Sequence, residues 1–272
     1  MSRAGRACPA CGRDAWNVAI RLRGAAVLRC TGCGLGRTEP PPLEANGHER
    51  FAGDRAHFEQ ALAAPKDRWW RRFNEGPLEF LASSGAGPGR RLLDVGANVG
   101  YLVASASRRG YRARGIDGSP AAAAAGRAAL GVEISCERLE ALAREPVGED
   151  VVVFNHILEH LPDPVATLAR ARGWLVPGGV ILVGVPNFAS PIARAFGECW
   201  EGLVPSQHIW HFTPAALAAV VRMAGFTAVR WRTTMLRYVP AGLLGWSKWL
   251  VRRALEAVDR ADNLLLVAHA PR

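Results

Sequence analysis

Two glycines and two carboxylates mark the first place where this chain could do chemistry. In Asp94-Val95-Gly96-Ala97-Asn98-Val99-Gly100 an acid stands two positions before the first glycine, where an apolar run gives way to a helical pattern beginning near Val99. Such a turn lets the backbone pass close to a bound molecule and adopt angles that side chains forbid. A second acid, Asp117, followed by Gly118, ends the next apolar run, where a doubly wound sheet places a carboxylate for ribose hydroxyls. The spacing Gly-x-x-x-Gly departs from the Gly-x-Gly-x-x-Gly with which a helix N-terminus receives pyrophosphate. Asn98 stands in the middle of the turn, and asparagine tolerates left-handed angles better than most residues.

Cys8-Pro9-Ala10-Cys11 and Cys30-Thr31-Gly32-Cys33 present four thiols as two knuckles, each able to give two ligands to a tetrahedral zinc ion. Between them, Asn17–Leu22 and Ala25–Arg29 read as two short strands about Arg23-Gly24, which makes residues 1–38 a zinc ribbon. A module this small buries too little apolar surface to fold alone, so structural Zn2+ is expected to supply the missing stability. A disulfide pair or a redox dithiol is the competing reading; no secretory signal is seen, and two knuckles suit a metal better. Cys136 and Cys199 are expected to be small core residues.

Histidines form the third constellation. His156 and His160 follow an apolar run with Glu159 between them, and His208 and His211 lie in Pro205-Ser206-Gln207-His208-Ile209-Trp210-His211-Phe212-Thr213-Pro214, ahead of a helix capped by Thr213. Ligands of open α/β sheets sit beyond the carboxyl ends of the strands, so these residues are the first place to seek contacts to a substrate. A histidine near its ordinary pKa suits proton removal there, and His208 is the favoured base, with His160 the alternative. Loop positioning is the competing role for both. A catalytic metal on Glu159 and its flanking histidines is not favoured, since no oxygen-rich third ligand is evident.

The elements that must position these groups alternate strand and helix. Leu92–Val95, Arg114–Asp117, Gly131–Glu137, Asp150–Asn155 and Val180–Pro186 read as strands, with an alanine-rich helix after Asp117 and a Pro177-Gly178-Gly179 turn before the last. At the carboxylate-glycine turn, Asp117, Glu159-His160-Leu161-Pro162-Asp163-Pro164 and the Pro-Gly-Gly turn, the chain resembles the class I S-adenosylmethionine-dependent methyltransferases, from about Arg90 onward. The resemblance implies an α/β, doubly wound, mostly parallel seven-stranded Rossmann-like sheet over residues 90–272, following a linker and covering helices over 39–89. It implies a cofactor, S-adenosylmethionine, with its methionine end over Asp94, Gly96, Ala97, Asn98 and Gly100 and its ribose on Asp117 and Gly118. Adenine would lie near Cys136, Glu137 and Leu139, with Asn155 and His156 completing the cofactor side. The ribbon joined to this domain is similar to bacterial methyltransferases of polysaccharide, nucleotide-sugar or natural-product pathways, which points to a small-molecule, sugar, glycan or lipid-linked acceptor.

Glu39-Pro40-Pro41-Pro42 reads as a stiff spacer, and 57–81 as two helices over the sheet, where Trp69 and Trp70 are core or part of an acceptor pocket. In the 272 residues, 34 Lys and Arg against 24 Asp and Glu give a net charge of +10. The excess is almost all arginine and scattered, which compositional bias explains as well as nucleic-acid binding does. An RNA methyltransferase stays a rival, although Asn155-His156-Ile157-Leu158 is not the Asn-Pro-Pro-aromatic run used on exocyclic base amines. A cofactor-binding protein without turnover is the second rival. Residues 241–258 are amphipathic, with Trp246, Trp249, Lys248, Arg252 and Arg253, and fit either packing against the rest of the fold or peripheral membrane contact. With no targeting segment and no apolar run long enough to span a bilayer, the cytoplasm is expected.

Overall fold

The computed structural model describes residues 7–42, 58, 62–63, 73–235, 250 and 253–272. Trp69, Trp70, most of the region read as two covering helices, and residues 241–249 with 251–252 of the amphipathic segment lie outside the described residues.

Five parallel strands form the centre of a seven-stranded sheet: β4 (Arg91–Val95), β5 (Arg112–Asp117), β6 (Ile134–Cys136), β7 (Glu149–Asn155) and β8 (Leu175–Pro186). Two further strands, β10 (Thr227–Thr234) and β11 (Asn263–His269), complete it in the order β10-β11-β8-β7-β4-β5-β6, with β11 antiparallel to both neighbours. This is the expected α/β sheet. Its central strands are apolar on both faces because helices cover both: Leu93, Val95, Val152 and Phe154 enter one core cluster, while Leu92, Val151 and Val153 enter another.

Helices α1 (Gly76–Ser83), α2 (Tyr101–Arg108), α3 (Pro120–Leu130), α4 (Pro164–Arg172), α5 (Pro191–Phe196) and α6 (Pro214–Met223) are placed by local chemistry. Ser119, Asp163, Ser190 and Thr213 each accept a hydrogen bond from the backbone N–H three residues on, with proline in the first turn. α2 begins at Tyr101, later than the sequence suggests, because Gly100 takes a left-handed φ of 78° as its N-cap.

β4 pairs with β5 on one side and β7 on the other. The chain runs outward through β5 and β6, then returns to β7 beside β4. That reversal opens a crevice at the carboxyl ends of β4 and β7, where such sheets receive ligands.

The N-terminal residues form a second sheet, β1 (Trp16–Leu22), β2 (Ala25–Cys30) and β3 (Gly36–Glu39), close to the hairpin expected from the sequence. Its fourth strand is unexpected. β9 (Trp210–His211), from the histidine segment, pairs antiparallel with β3. Gly36 is required there: a Cβ would stand 2.8 Å from His211 Cβ and 2.9 Å from Phe188 Cε1. Cys8, Cys30 and Leu35 share one core cluster with Leu217 and Val220 of α6, so these cysteine knuckles pack into the larger body.

Cys136 and Cys199 are both exposed, which corrects the expectation that they are core residues. Cys136 ends the short strand β6 and Cys199 sits in a one-turn helix, so neither reaches a packed layer. Among the described residues no helix is long and apolar enough to cross a membrane.

Candidate active site

The glycine turn takes its shape from three left-handed residues, Gly96 at φ 72°, Asn98 at 52° and Gly100 at 78°. Asn98 stabilises its own angle, since its Oδ1 accepts the Val99 N–H at 2.7 Å. At Gly96 the room a Cβ needs is taken by Ile157. Asp117 Oδ2 accepts the Asn98 N–H at 2.7 Å and Oδ1 accepts the Ser119 N–H at 2.8 Å, so one carboxylate ties the turn after β4 to the turn after β5. Asp94 is wholly buried; burial, and then the negative charge of Asp117, hold its carboxyl well above the usual range. A cationic ligand at the turn would offset the burial and favour the ionised form of Asp94.

Asp94, Gly96, Ala97, Asn98, Gly100, Asp117 and Gly118 thus gather at adjoining strand ends. Cys136 pairs with Asp117 across β5 and β6, and the Glu137 N–H donates to the Asp117 carbonyl at 3.0 Å, which brings the expected adenine neighbours to the same edge. Asn155 Nδ2 donates to the Phe73 carbonyl at 3.1 Å.

The histidines separate into different roles. His156, at a left-handed φ of 58°, lies 3.0 Å from Asn263 Oδ1 through Nε2, stacks on Phe73 and brings Nδ1 to 3.3 Å from Glu159 Oε1. His160 turns the other way: its Nδ1 is 3.1 Å from the Gln207 carbonyl and its ring meets His208 edge-on at 4.7 Å. The helical turn expected for the pair is reduced to a 3-10 turn at Leu158–His160.

Glu159 and His208 are the buried heart of the cluster. Both Glu159 carboxylate oxygens and His208 Nδ1 are buried; Glu159 Oε1 faces only the His156 ring nitrogen at 3.3 Å, while Glu159 Oε2 and His208 Nδ1 have no hydrogen-bond partner among the described residues. Burial works against the Glu159 anion, yet His156, His160 and His208 together pull its pKa down to about 2. Burial lowers His208 to about 4, with Glu159 opposing and His160 and His156 adding to the fall. His211, whose Nε2 lies 2.9 Å from Thr38 Oγ1, is lowered to about 3 by burial and then by His208. His208 is consequently neutral throughout the physiological range, not titrating near pH 7 as a solvent-exposed histidine would. The fold also adds a member that spacing did not reveal: ligand-capable atoms of Glu159, His160 and His208 all lie within 4.8 Å of one another.

These shifts make the site acid-sensitive. For His208 and His211 the folded pKa lies below the ordinary 6.5, so the unfolded chain binds protons the folded chain refuses. Their stability contribution is full above pH 6.5 and is lost as pH falls toward about 4 and about 3, while Glu159 adds a loss from 4.5 toward about 2. The melting temperature is expected to drop on the order of 10 °C between about pH 7 and about pH 4.5. His211→Gln should flatten that slope, and a melting temperature constant over the interval would contradict the burial-driven shifts.

The cysteines answer the geometric test for a metal. Cys8 Sγ is 3.5 Å from Cys33 Sγ and Cys11 Sγ is 3.5 Å from Cys30 Sγ, and all four sulfurs fall within 4.8 Å of one another. Zinc–sulfur bonds of about 2.3 Å in a tetrahedron set the sulfurs about 3.8 Å apart. No disulfide joins them. Burial raises the Cys8 thiol and brings Cys33 up to about 11, the expense a divalent cation removes by deprotonating its ligands.

The ordered sheet, its reversed β11 and the carboxylate-glycine turn at the crevice define an α/β methyltransferase fold. The family model for the methyltransferase domain matches residues 59–230, and the chain belongs to that family of S-adenosylmethionine-dependent enzymes. It is similar to the ubiquinone biosynthesis O-methyltransferase of Acinetobacter baumannii strain AYE, 31% identical over 215 residues, which are 70% of this chain and 88% of that protein. Among solved structures, a methyltransferase in complex with the Haloferax volcanii activator Trm112 superposes with a TM-score of 0.60 at 20% identity, covering 84% of this chain and 99% of that one. The Burkholderia thailandensis 1,6-didemethyltoxoflavin-N1-methyltransferase, solved with S-adenosylhomocysteine, gives 0.52 at 21% identity over 91% and 96% of the two chains.

Proposed function

We propose that this methyltransferase acts on oxygen or carbon of a small-molecule, sugar, glycan or lipid-linked acceptor, with His208 as the base that takes the acceptor proton. The observation that carries the reading is the orphaned His208 Nδ1 near an ionised, buried Glu159 just beyond the carboxyl end of β7. A buried neutral imidazole accepts a proton, and the Glu159 carboxylate stabilises the imidazolium that forms. His160 holds the loop through the Gln207 carbonyl and walls one side of His208. The name of the Acinetobacter relative, an O-methyltransferase, supports oxygen as the acceptor atom.

Asp117 and the Gly96–Gly100 turn would hold S-adenosylmethionine, which supplies a methyl group on an already activated sulfonium. The chain's own work is to align the acceptor with that methyl and exclude water. Ribose hydroxyls would join the Asn98 and Ser119 N–H groups on the Asp117 carboxylate. Cys8, Cys11, Cys30 and Cys33 would hold one structural zinc, with no open coordination position for substrate. Residues 1–38 would then be a ribbon serving the 90–272 catalytic region, with 39–89 between them. The cytoplasm remains the expected compartment, with residues 241–258 the segment to examine for membrane contact.

Calorimetry tests the cofactor assignment. Asp117→Asn keeps the size but removes the charge, and is expected to weaken S-adenosylmethionine binding about 10- to 100-fold, the range for hydrogen bonds to a charged acceptor. Unchanged affinity would sink the assignment. An acceptor screen with isotopically labelled methyl donor over glycan, lipid and RNA fractions then decides the substrate class; label confined to RNA would overturn the small-acceptor reading.

A further inference from the structure

A cavity of about 300 Å³ lies between the N-terminal sheet and the larger body, away from the cysteines and the glycine turn. Asn17, Val18 and Ile20 of β1, Arg29 of β2, Phe188 and Arg194 line it. None of the residues lining it is acidic. Arg29 lies over the Phe188 ring, 4.6 Å from its centroid, and among the described residues its Nη2 reaches only the Phe188 carbonyl, at 3.4 Å. Arg29 Nε is buried with no hydrogen-bond partner. Arg194, exposed at the rim, donates only to the Ala189 carbonyl at 3.3 Å.

Two guanidinium groups therefore share one concave surface, and among the described residues no carboxylate pairs with either. Two like charges on one concave surface repel each other unless something negative lies between them. Arg170, Arg91 and Arg109, by contrast, each have a carboxylate partner: Glu145, Asp150, and Glu75 with Glu79. An arginine pinned flat on an aromatic ring with its fork edge unfilled is shaped for the planar, multi-donor recognition of phosphate oxygens. The cavity is at the small end of ligand-binding pockets, larger than one phosphate needs, and apart from Asn17 its remaining lining is apolar.

We propose that this pocket binds a phosphate or diphosphate ester, with Arg29 and Arg194 clamping the anion and Val18, Ile20 and Phe188 taking the adjoining organic part. Phe188 places the occupant next to residues 205–214, the loop that carries His208 and that the proposed function makes the acceptor loop: its ring lies 5.3 Å from that of His211, which lies 6.2 Å from His208. The assignment stands apart from methyl transfer, because its readout is binding.

The test is calorimetry on the full-length chain with sodium pyrophosphate, inorganic phosphate and uridine diphosphate as probes. Saturable pyrophosphate binding is expected, weakened about tenfold by Arg194→Gln, an exposed position whose loss leaves folding intact. Arg29→Lys, which keeps the charge and the apolar stem but loses the fork, should weaken binding about fivefold. Uridine diphosphate held more tightly than pyrophosphate would make the occupant an ester; equal affinities would make it the free anion. Absence of saturable heat for all three probes up to about 10 mM, or Arg194→Gln binding pyrophosphate as the wild type does, would overturn the proposal.

Discussion

Replacing His208 by alanine should lower turnover about 100-fold or more while leaving S-adenosylmethionine affinity within about twofold. The His208 ring belongs to the acceptor loop and not to the glycine turn, so loss of it removes the base and spares the cofactor side. The pH profile distinguishes a base from a wall. With its pKa lowered to about 4, His208 is already neutral at pH 6, so activity is expected to rise through about pH 4 and to be flat from pH 6 to 8. Glu159→Gln should reduce turnover comparably, because it removes the charge that stabilises the imidazolium, and the double variant should lose little more than either single one. A limb near pH 6.5 that persists in His208→Ala would give the proton to another group.

Removing the metal expected on the four cysteines should abolish most activity without abolishing cofactor binding. Thr38, buried on β3, donates its Oγ1 hydrogen to the His208 carbonyl at 2.8 Å, and its N–H donates to the Ile209 carbonyl at 2.9 Å. The strand that follows the second cysteine knuckle therefore holds the backbone of the acceptor loop. Cys30→Ser is expected to lose about one zinc per chain, lower the melting temperature and cut turnover at least tenfold, with cofactor affinity within about threefold of wild type. Thr38→Val keeps the metal and removes only the hydroxyl; a smaller turnover loss there, with zinc retained, separates loop positioning from unfolding. Full activity of metal-free protein would detach the cysteines from the reaction.

Much of this arrangement was legible in the sequence, for reasons of period and spacing. The apolar runs that became β4, β7 and β8 are buried on both faces and so read as continuous, and the left-handed Asn98 followed from its place between two glycines. The two knuckles announced a four-sulfur cluster because each closes locally. What joins distant segments was not legible. β9 is two residues long and has no pattern of its own, and its partner β3 lies far away in sequence. The meeting of Glu159 with His208 depends on that pairing, and so does the depressed His208 pKa, which a spacing argument places near its ordinary value. The Arg29–Arg194 pocket has no signature in the sequence, because scattered arginines look alike until a fold brings two of them together.

The β3–β9 ladder also bears on how the chain is made. Thr38 leaves the ribosome 170 residues before His208, which at about 5–20 residues per second is roughly ten to thirty seconds. Through that interval the outer edge of β3 has no strand beside it, and an open edge invites pairing with other nascent chains. β3 reads Gly36-Arg37-Thr38-Glu39: four residues, two of them charged and salt-bridged to each other at 3.1 Å. A short, charged edge is a poor template for aggregation, so the strand that later steadies the acceptor loop is also one that can wait safely for it.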